Sequence, residues 1–421
     1  MKQKIIQILR WSEKYAKTDM VRFASGNFWL SATRVAAVGS GMVLTVVFAN
    51  KVDPNVYGTY KYIIALVGIF GAFSLNSLGT SVVRAVAQGN KDVVRPLFIK
   101  SILWSLPAAG AAAIGSLYYY LNGNAALGFG LLLIALANPF FNSFVVWKSL
   151  FVGKGDFKSM AAYSIPGNLA SVLAFIGILL VKTDIFTILI TYFATNLALS
   201  WFMYAVALRK YKVAQEHEID EETKTKVSET VQYGKHLSIL GIVIQIMSYA
   251  DQLILWHFVG PIQLAIYSFA QAPVREIKNF SENFFPIIFP RYATKTMEEV
   301  KKSMGLRTMQ MVLVSSAACI AYIIAAPFIF KIFFPKYMAS VLASQILALA
   351  IPFQAKGLVE TLITAHGDVK KKYVTSIATN ASRLALLGIL IPPYGFIGAS
   401  IAIVASEAVS AVVYYFAYKR L

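Results

Sequence analysis

Long apolar runs alternate with short polar segments along almost the whole chain. A window of roughly 19 residues finds about twelve runs that are long enough to cross a hydrocarbon core of roughly 30 Å. Runs of this length without regular polar positions predict an all-α polytopic membrane protein, because a helix satisfies its own backbone hydrogen bonds in lipid. The predicted spans are 27–50, 58–79, 96–121, 125–147, 162–181, 184–208, 236–259, 262–290, 308–330, 340–364, 373–391 and 395–418.

The polar segments divide this pattern into two halves. The longest of them, 209–235, has mixed charge and separates six spans from six, so we interpret it as a cytoplasmic linker. It divides an N-lobe at 27–208 from a C-lobe at 236–421, and both six-helix bundles enter the membrane in the same direction, as in a parallel pseudo-repeat. Residues 1–26 are basic and amphipathic, which predicts an interfacial cytoplasmic segment.

A trace of the repeat is visible in the first outer hairpin of each half. FANKVDPNVYGTY and WHFVGPIQLAIY both place a proline six residues before a tyrosine, at Pro54 and Tyr60 and at Pro261 and Tyr267. Proline is tolerated in the first turn of a helix, so each proline is predicted to start the second helix of its half, with Asp53 as the cap of the first. Two unrelated hairpins that share a proline remain an alternative.

Composition agrees with the membrane class. The 421 residues are 57% hydrophobic and 14% charged, and the formal net charge is +19. About 28 of the Lys and Arg residues fall in the N-terminus and alternate loops, against about four in the opposite loops. By the positive-inside rule both termini are therefore cytoplasmic, and the net charge needs no nucleic acid to explain it.

Sequence motifs give no support for an enzyme or a metal protein. Cys319 is the single cysteine and lies in an apolar run, which predicts a packing role. The four histidines lack ligand spacing, and VGKGD at 152–156 lacks the rest of a phosphate-binding loop. We therefore predict a membrane transporter without catalytic residues, bound metal or organic cofactor.

Charged residues inside the predicted spans carry the functional signal. If all ten faced lipid at about 2.5 to 3.5 kcal/mol each, the cost of roughly 30 kcal/mol would exceed the stability of a typical fold, about 5 to 15 kcal/mol. They must therefore face protein or a water-filled cavity. They are Arg34, Asp251, Arg275, Glu276, Lys278, Glu282, Lys356, Glu360, Arg383 and Glu407. Lys61 and Lys100 lie near span ends, so we interpret them as snorkelling residues.

The eighth span has the densest group of these charges. Arg275, Lys278 and Glu282 share one helical face by their spacing, and Pro273, Pro286 and Pro290 interrupt the same span. Three pairs leave a purely structural alternative open: Lys278 with Glu282, Lys356 with Glu360, and Arg383 with Glu407. Arg275 has no partner at helical spacing. Asp251 is the lone acid of the seventh span, and is predicted either to bind a cation or to pair with Arg275.

At this point the residues show a family resemblance. The run 52–92, with its Pro-x-x-Tyr-Gly-x-Tyr hairpin and its Leu-Gly and Arg before a basic loop, resembles the polysaccharide (O-antigen type) flippases. These belong to the multidrug/oligosaccharidyl-lipid/polysaccharide exporter superfamily, and Pro-Arg-Tyr at 290–292 is similar too. The resemblance implies two six-helix bundles in a V, and alternating-access transfer of undecaprenyl-pyrophosphate-linked oligosaccharide across the bacterial inner membrane for O-antigen, capsule or exopolysaccharide synthesis.

The resemblance also implies roles for residues. Arg34 and Arg275 correspond to cavity arginines of the related lipid II flippases, although the sparser first-helix charges and about twelve spans argue against lipid II itself. The expected partners are the lipid-linked glycan and the bilayer, with a polysaccharide polymerase and a chain-length regulator as further candidates. The predicted substrate-binding residues are Arg34, Arg275, Lys278 and Arg383, and the predicted sites for a coupling Na⁺ or H⁺ are Asp251, Glu282 and Glu407.

Two other functions remain open. A cation-coupled multidrug exporter of the same superfamily would favour an acidic, apolar-lined cavity, and the arginines inside the spans count against it. A non-transporting scaffold for envelope assembly would have no need of a charged face in the middle of the membrane.

Overall fold

The computed structural model describes residues 20–74, 78–144, 146–213, 221–282, 297–365 and 369–419. Within these ranges the chain forms α-helices and short 3₁₀ turns and no β-strand, which confirms the all-α prediction. The α-helices are α1 (Met20–Lys51), α2 (Pro54–Ala72), α3 (Leu78–Ala87), α4 (Val94–Leu121), α5 (Ala125–Phe144), α6 (Val146–Lys154), α7 (Phe157–Val181), α8 (Ile185–Tyr211), α9 (Glu221–Val259), α10 (Pro261–Glu282), α11 (Met297–Phe333), α12 (Ser340–Ala348), α13 (Lys356–Ala365) and α14 (Val369–Lys419).

The helices agree with the predicted spans. Among the described residues, nine segments are long and apolar enough to cross a membrane, and one of them, Val374–Lys419, covers the last two predicted spans. The predicted spans 58–79 and 262–290 are not among the nine, and each runs into residues outside the described ranges. Their described parts are nevertheless the helices α2 and α10. The chain is therefore a multi-pass membrane protein.

The backbone is broken within one predicted span and bends at the boundary between two others. The span 340–364 consists of α12, the 3₁₀ turn Pro352–Ala355 and α13, because a proline has no N–H to continue an α-helix. The helix α14 bends at Gly395, whose φ of 55° and ψ of −134° are not helical. Pro392 and Pro393 precede this bend, which agrees with the predicted boundary between the last two spans.

Other predictions fall partly outside the described ranges. Most of the predicted interfacial segment 1–26 precedes residue 20, and residues 214–220 of the predicted linker are also outside. The remainder of that linker, from Glu221, is the beginning of α9, which continues into the seventh predicted span. The two lobe boundaries stay a prediction.

Contacts within the chain define two compact units. One comprises Met1–Val47 and Leu66–Gln245, and the other comprises Phe48–Ala65 and Ile246–Leu421. The second unit has a buried apolar core that includes Leu255, Tyr267 and Leu387. Cys319 is buried in the same core as a free thiol, which confirms its predicted packing role.

Both outer hairpins begin their second helix at the predicted proline. The helix α2 begins at Pro54 and α10 begins at Pro261. Asp53 Oδ1 accepts a hydrogen bond from the backbone N–H of Asn55 at 2.8 Å, so the predicted cap is also confirmed. The two helices then touch backbone to backbone, because a Cβ atom on Gly58 would lie 1.9 Å from the carbonyl oxygen of Pro261.

Aromatic rings extend this contact within the second unit. Tyr57 stacks on Phe269 with ring centroids 4.4 Å apart, and Tyr62 stacks on Trp256 at 4.2 Å. Such pairs stabilise a fold by about 0.5 to 1.5 kcal/mol beyond the burial of their area. They place α2 against α9 and α10, the two helices that supply most of the site described below.

A polar cluster ties α7 to α8 in the first unit. Asp156 accepts a hydrogen bond from the backbone of Ser159 at 3.1 Å, from Lys210 Nζ at 2.7 Å and from Tyr211 Oη at 2.9 Å. Burial raises the pKa of this carboxyl, but the hydrogen bonds outweigh burial and lower the pKa to about 2. Asp156 therefore stays ionised at physiological pH and acts as a fixed structural anchor.

The contact at Gly58 gives a stability prediction. Gly58→Ala forces α2 and α10 apart, because the added methyl group meets backbone that cannot rotate away, and we expect a loss of about 2 kcal/mol or more. The matched control is Gly39→Ala in α1, where nothing lies within 4 Å of the added Cβ. Thermal unfolding of the purified protein, followed by tryptophan fluorescence, should show a lower Tm for Gly58→Ala only. Equal Tm values for the two variants would contradict the close contact.

Candidate functional site

A buried carboxylate lies at the centre of the site in the second unit. Asp251, from α9, is 2% exposed. Its Oδ2 accepts hydrogen bonds from Tyr267 Oη at 2.8 Å and Gln271 Nε2 at 3.0 Å, two residues one helical turn apart on α10. Arg383 Nη2, from α14, lies 3.7 Å from the same oxygen. We call Asp251, Tyr267, Gln271 and Arg383 the aspartate cluster.

Two atoms of the aspartate cluster lack hydrogen-bond partners. Asp251 Oδ1 and Arg383 Nε are buried, and neither makes a hydrogen bond with the part of the chain that the structure describes. A buried charge without full compensation is costly, and hydrogen bonds to Oδ2 offset only part of the cost. Oδ1 can therefore still bind a proton or a cation, or accept a hydrogen bond from a ligand.

Further cations surround this carboxylate. Lys61, from α2, interacts electrostatically with both Asp251 and Arg275. Arg275 Nε lies 3.8 Å from Glu276 Oε1, and its side chain is 59% exposed, whereas that of Glu276 is 23% exposed. The guanidinium is thus the most accessible charge of the group. Among the described residues, Lys61 and Arg383 are thus two cations near the carboxylate of Asp251, while Arg275 pairs with Glu276.

A second group of charges joins α10, α13 and α14. Lys278 Nζ lies 2.8 Å from Glu407 Oε1, and Lys356 Nζ lies 2.5 Å from Glu407 Oε2. Lys356 Nζ also donates to Ser410 Oγ at 2.7 Å. We call Lys278, Lys356, Glu407 and Ser410 the two-lysine cluster. Here two cations share one carboxylate, so this cluster also carries an excess of positive charge.

The described ion pairs differ from the local pairs that the sequence left open as an alternative. Among the described residues, Lys356 forms its ion pair with Glu407 and not with Glu360, its i+4 neighbour. Lys278 reaches the same Glu407, 129 positions away, and the side chain of its predicted partner Glu282 is outside the described residues. Arg383 lies against Asp251 and not against Glu407. For Lys356 the contact between helices offers the more buried partner, because Glu407 is 16% exposed and Glu360 is an exposed residue.

Other predicted site residues are placed as follows. Arg275 and Lys278 lie on one face of α10 by their spacing, but Arg275 pairs with Glu276, whereas Lys278 pairs with Glu407. Arg275 does have a local ion-pair partner, the adjacent Glu276, which helical spacing of three or four does not reveal. Arg34 is an exposed residue of α1 in the first unit. Its joint role with Arg275 stays a prediction.

Sequence reasoning missed four members of the site. Lys61 was interpreted as a snorkelling residue, yet it lies seven residues after the start of α2, roughly 10 Å along the helix by its rise. This distance from the helix start at Pro54 is the sequence signal that Lys61 lies away from the membrane surface. Tyr267 was noted only for its place in the hairpin repeat, and Gln271 and Ser410 carry no charge that would have drawn attention.

The charges of the site are suited to binding an anion. Among the described residues, the two groups of charges contain five cations and three carboxylates, and Glu360 of α13 belongs to neither group. Guanidinium and ammonium groups are the usual ligands of phosphate and carboxylate anions. Among the residues that the structure describes, no three His, Cys, Asp or Glu residues come together to hold a metal ion. The expected property of the site is therefore affinity for an anionic group.

Comparison with known proteins adds the following. A family model described as "Polysaccharide biosynthesis protein" matches residues 23–293. No curated protein matches this sequence. Among solved structures, the chain is similar to the lipid II flippase MurJ in an inward closed conformation, at 14% identity and a TM-score of 0.59, covering 93% of this chain and 87% of that one.

The chain is also similar to multidrug transporters. It matches an inward-facing multidrug resistance MATE family transporter of the MOP superfamily at 12% identity and a TM-score of 0.64, covering 94% of this chain and 97% of that one. The eukaryotic MATE transporter AtDTX14 matches at 14% identity and a TM-score of 0.62, covering 94% and 96%. At these identities the likeness shows a shared fold, and it confirms the predicted fold class.

The aspartate cluster gives a second stability prediction. Tyr267→Phe removes the shortest hydrogen bond to Asp251 and leaves a buried carboxylate less compensated, so we expect a loss of about 1 to 3 kcal/mol. Tyr394→Phe removes the same hydroxyl from a tyrosine that is 62% exposed and should be neutral. Thermal unfolding of both variants at neutral pH checks this. A Tyr267→Phe protein as stable as the wild type would show that the hydrogen bond is dispensable.

Proposed function

This chain belongs to the polysaccharide biosynthesis protein family, and from that premise we propose that it is a lipid-linked oligosaccharide flippase. The proposed substrate is an undecaprenyl-pyrophosphate-linked oligosaccharide repeat unit, moved from the cytoplasmic to the outer leaflet of the bacterial inner membrane. The product would supply O-antigen, capsule or exopolysaccharide synthesis. A polysaccharide polymerase and a chain-length regulator are the proposed downstream partners, and both termini are proposed to be cytoplasmic.

The number of cations in the two groups of charges, five against three carboxylates among the described residues, is the observation that carries this proposal. A pyrophosphate with its attached sugars loses its hydration on entering a membrane, and cations within the protein can replace the lost water. Arg275 is the most exposed of these cations, and Lys61 and Arg383 lie around the same buried Asp251. A guanidinium can bind two phosphate oxygens at once, which fixes orientation as well as charge.

The proposed mechanism assigns separate roles to the charges. Arg275, Lys61, Lys278 and Arg383 engage the phosphates, together with Arg34 from the first unit, while the polyprenyl tail stays in the lipid. Alternating access of the two six-helix lobes then carries the headgroup across the membrane. Only the headgroup needs a polar path, because the tail is as apolar as the bilayer core.

Asp251 is the proposed site for a coupling cation, either Na⁺ or H⁺. Its buried Oδ1 makes no hydrogen bond with the described residues, while Oδ2 is held by Tyr267 and Gln271. A proton or cation on Oδ1 would weaken the attraction between Asp251 and Arg383, and thereby leave the guanidinium more available to the phosphates. Glu282 remains a further candidate for this role.

Export of cationic drugs is the less favoured candidate. The transporters that share this fold include multidrug resistance proteins. A site for drug cations needs an excess of carboxylates, whereas the described site has the opposite excess. Restored surface polysaccharide in a flippase-deficient strain would support the first function, and resistance conferred on a drug-sensitive strain would support the second.

Translocation by reconstituted protein tests the proposed function. In proteoliposomes with a lipid-linked oligosaccharide, Arg275→Ala should lower the translocation rate at least tenfold, because a guanidinium–phosphate contact contributes about 1.5 to 3 kcal/mol. Arg275→Lys keeps the charge and should retain part of the rate. Lys336→Ala, an exposed lysine between predicted spans, is the matched control and should be unchanged. An Arg275→Ala protein that folds and translocates at the full rate would remove the central residue.

A further inference from the structure

We infer that the two-lysine cluster is a second oxyanion subsite, in which Glu407 acts as an internal counterion that a phosphate group displaces. The inference rests on the proposed function for the source of that phosphate, which is the headgroup of a lipid-linked ligand. It assigns Lys356 and Glu407 roles that differ from local pairing and from cation coupling. A bound anion would then have to compete with Glu407 for Lys278.

The stoichiometry of the cluster is the first argument. A structural ion pair needs one cation for one carboxylate, whereas here Lys278 and Lys356 occupy the two oxygens of Glu407. The second ammonium adds like-charge repulsion, which a purely structural pair would avoid. An arrangement with one positive charge in excess is stable when an anion is present for part of the working cycle.

Unused hydrogen-bond donors are the second argument. An ammonium group has three N–H donors. Lys278 uses one of them on Glu407, and Lys356 uses two, on Glu407 and Ser410. Three donors therefore have no partner among the described residues. A phosphate presents several oxygens that accept such bonds, so it complements these donors without any rearrangement of the backbone.

Accessibility is the third argument. The side chains of Lys278, Lys356 and Glu407 are 20%, 19% and 16% exposed, so each is mostly buried but still reachable. Partial burial strengthens the attraction for an anion, because surrounding protein screens charge less than water does. A fully exposed cluster would bind anions weakly, and a fully buried one could not exchange them.

Position along α10 is the fourth argument. Lys278 lies three residues after Arg275, so one lysine of the two-lysine cluster shares a helical face with the exposed guanidinium. A ligand with two linked phosphates presents two anionic groups that could occupy neighbouring subsites. Arg275 would hold one phosphate, and the two-lysine cluster would hold the other after Glu407 is displaced.

If Glu407 is a displaceable counterion, the net charge of the two-lysine cluster determines the order of anion affinity among its variants. Wild type has one positive charge in excess, Glu407→Gln has two, and Lys356→Gln has none. The double variant Lys356→Gln/Glu407→Gln returns to one. Affinity for an anion should therefore be highest in Glu407→Gln, lowest in Lys356→Gln, and close to wild type in the double variant. A cluster that serves only stability would give no such ordering.

Binding of radiolabelled inorganic pyrophosphate to the full chain in phosphatidylcholine nanodiscs tests this ordering. We expect Glu407→Gln to bind about tenfold more tightly than wild type, and Lys356→Gln about tenfold more weakly, the scale of a charge-assisted contact. Lys336→Gln, which removes an exposed lysine elsewhere, should bind as wild type does. Unchanged affinity in both cluster variants would overturn the inference.

Additional measurements distinguish the possible sources of the anion. They also distinguish failure of this inference from failure of the proposed function. Inorganic phosphate as the probe, and nanodiscs that contain phosphatidylglycerol, show whether a single phosphate or a phospholipid headgroup fills the subsite. Loss of pyrophosphate binding in Arg275→Gln with no change in the cluster variants would leave the proposed function standing and end this inference. If the variants follow the predicted order of affinity but wild type does not translocate lipid-linked oligosaccharide, this inference stands and the proposed function fails.

Folding of the variants is controlled by size-exclusion chromatography. If Glu407→Gln does not fold, the comparison of Lys356→Gln with the double variant still decides the outcome. Adding Glu407→Gln to Lys356→Gln restores one positive charge and should raise the affinity for pyrophosphate about tenfold. Equal affinities of these two variants would contradict the counterion role.

Discussion

An ion placed among apolar helices needs a partner, and this requirement shapes the second unit. Asp251 is nearly fully buried and is held by two donors on α10 and by Arg383 on α14. Glu407, on α14, forms ion pairs with Lys278 of α10 and Lys356 of α13. Asp251 and Glu407 are thus each compensated by other helices or by a distant part of the chain, and these contacts tie the helices together within the unit. Among the described residues, two lysines share one carboxylate in the two-lysine cluster, and Lys61 adds a second cation near the Asp251–Arg383 pair.

Such an excess is tolerable only where the backbone is held firmly. The helix α10 supplies Tyr267, Gln271, Arg275 and Lys278, and its beginning at Pro261 lies directly against Gly58 of α2. Stacked aromatic rings on α2, α9 and α10 support the same contact. The packing of the outer hairpins therefore positions the charges further along the helices. An anion that moves through this unit would meet side chains on a rigid element, which keeps the cost of organising the site low.

Much of this fold follows from local sequence. Apolar run length predicts the spans, Pro54 and Pro261 predict two helix starts, and Pro392 and Pro393 mark the bend at Gly395. The pairing of charges does not follow, because helical spacing reveals only neighbours three or four positions apart. Lys278 and Glu407 are 129 positions apart, and their contact depends on how α10 packs beside α14. The position of Lys61 is missed for the same reason, since the carboxylate that attracts it, Asp251, lies on another helix.

The central claim is that the excess cations face water and not lipid. Ala272 lies one turn before Arg275 on α10, and Ala272→Cys in a Cys319→Ala background leaves every charge intact. In liposomes, we expect a water-soluble anionic thiol reagent to modify this cysteine several-fold faster than a cationic reagent of similar size, because the cations attract it. Ile324→Cys, at a position on α11 that is 66% exposed and predicted to face lipid, should resist both reagents. Equal rates at residue 272, or no reaction with either reagent, would contradict the account.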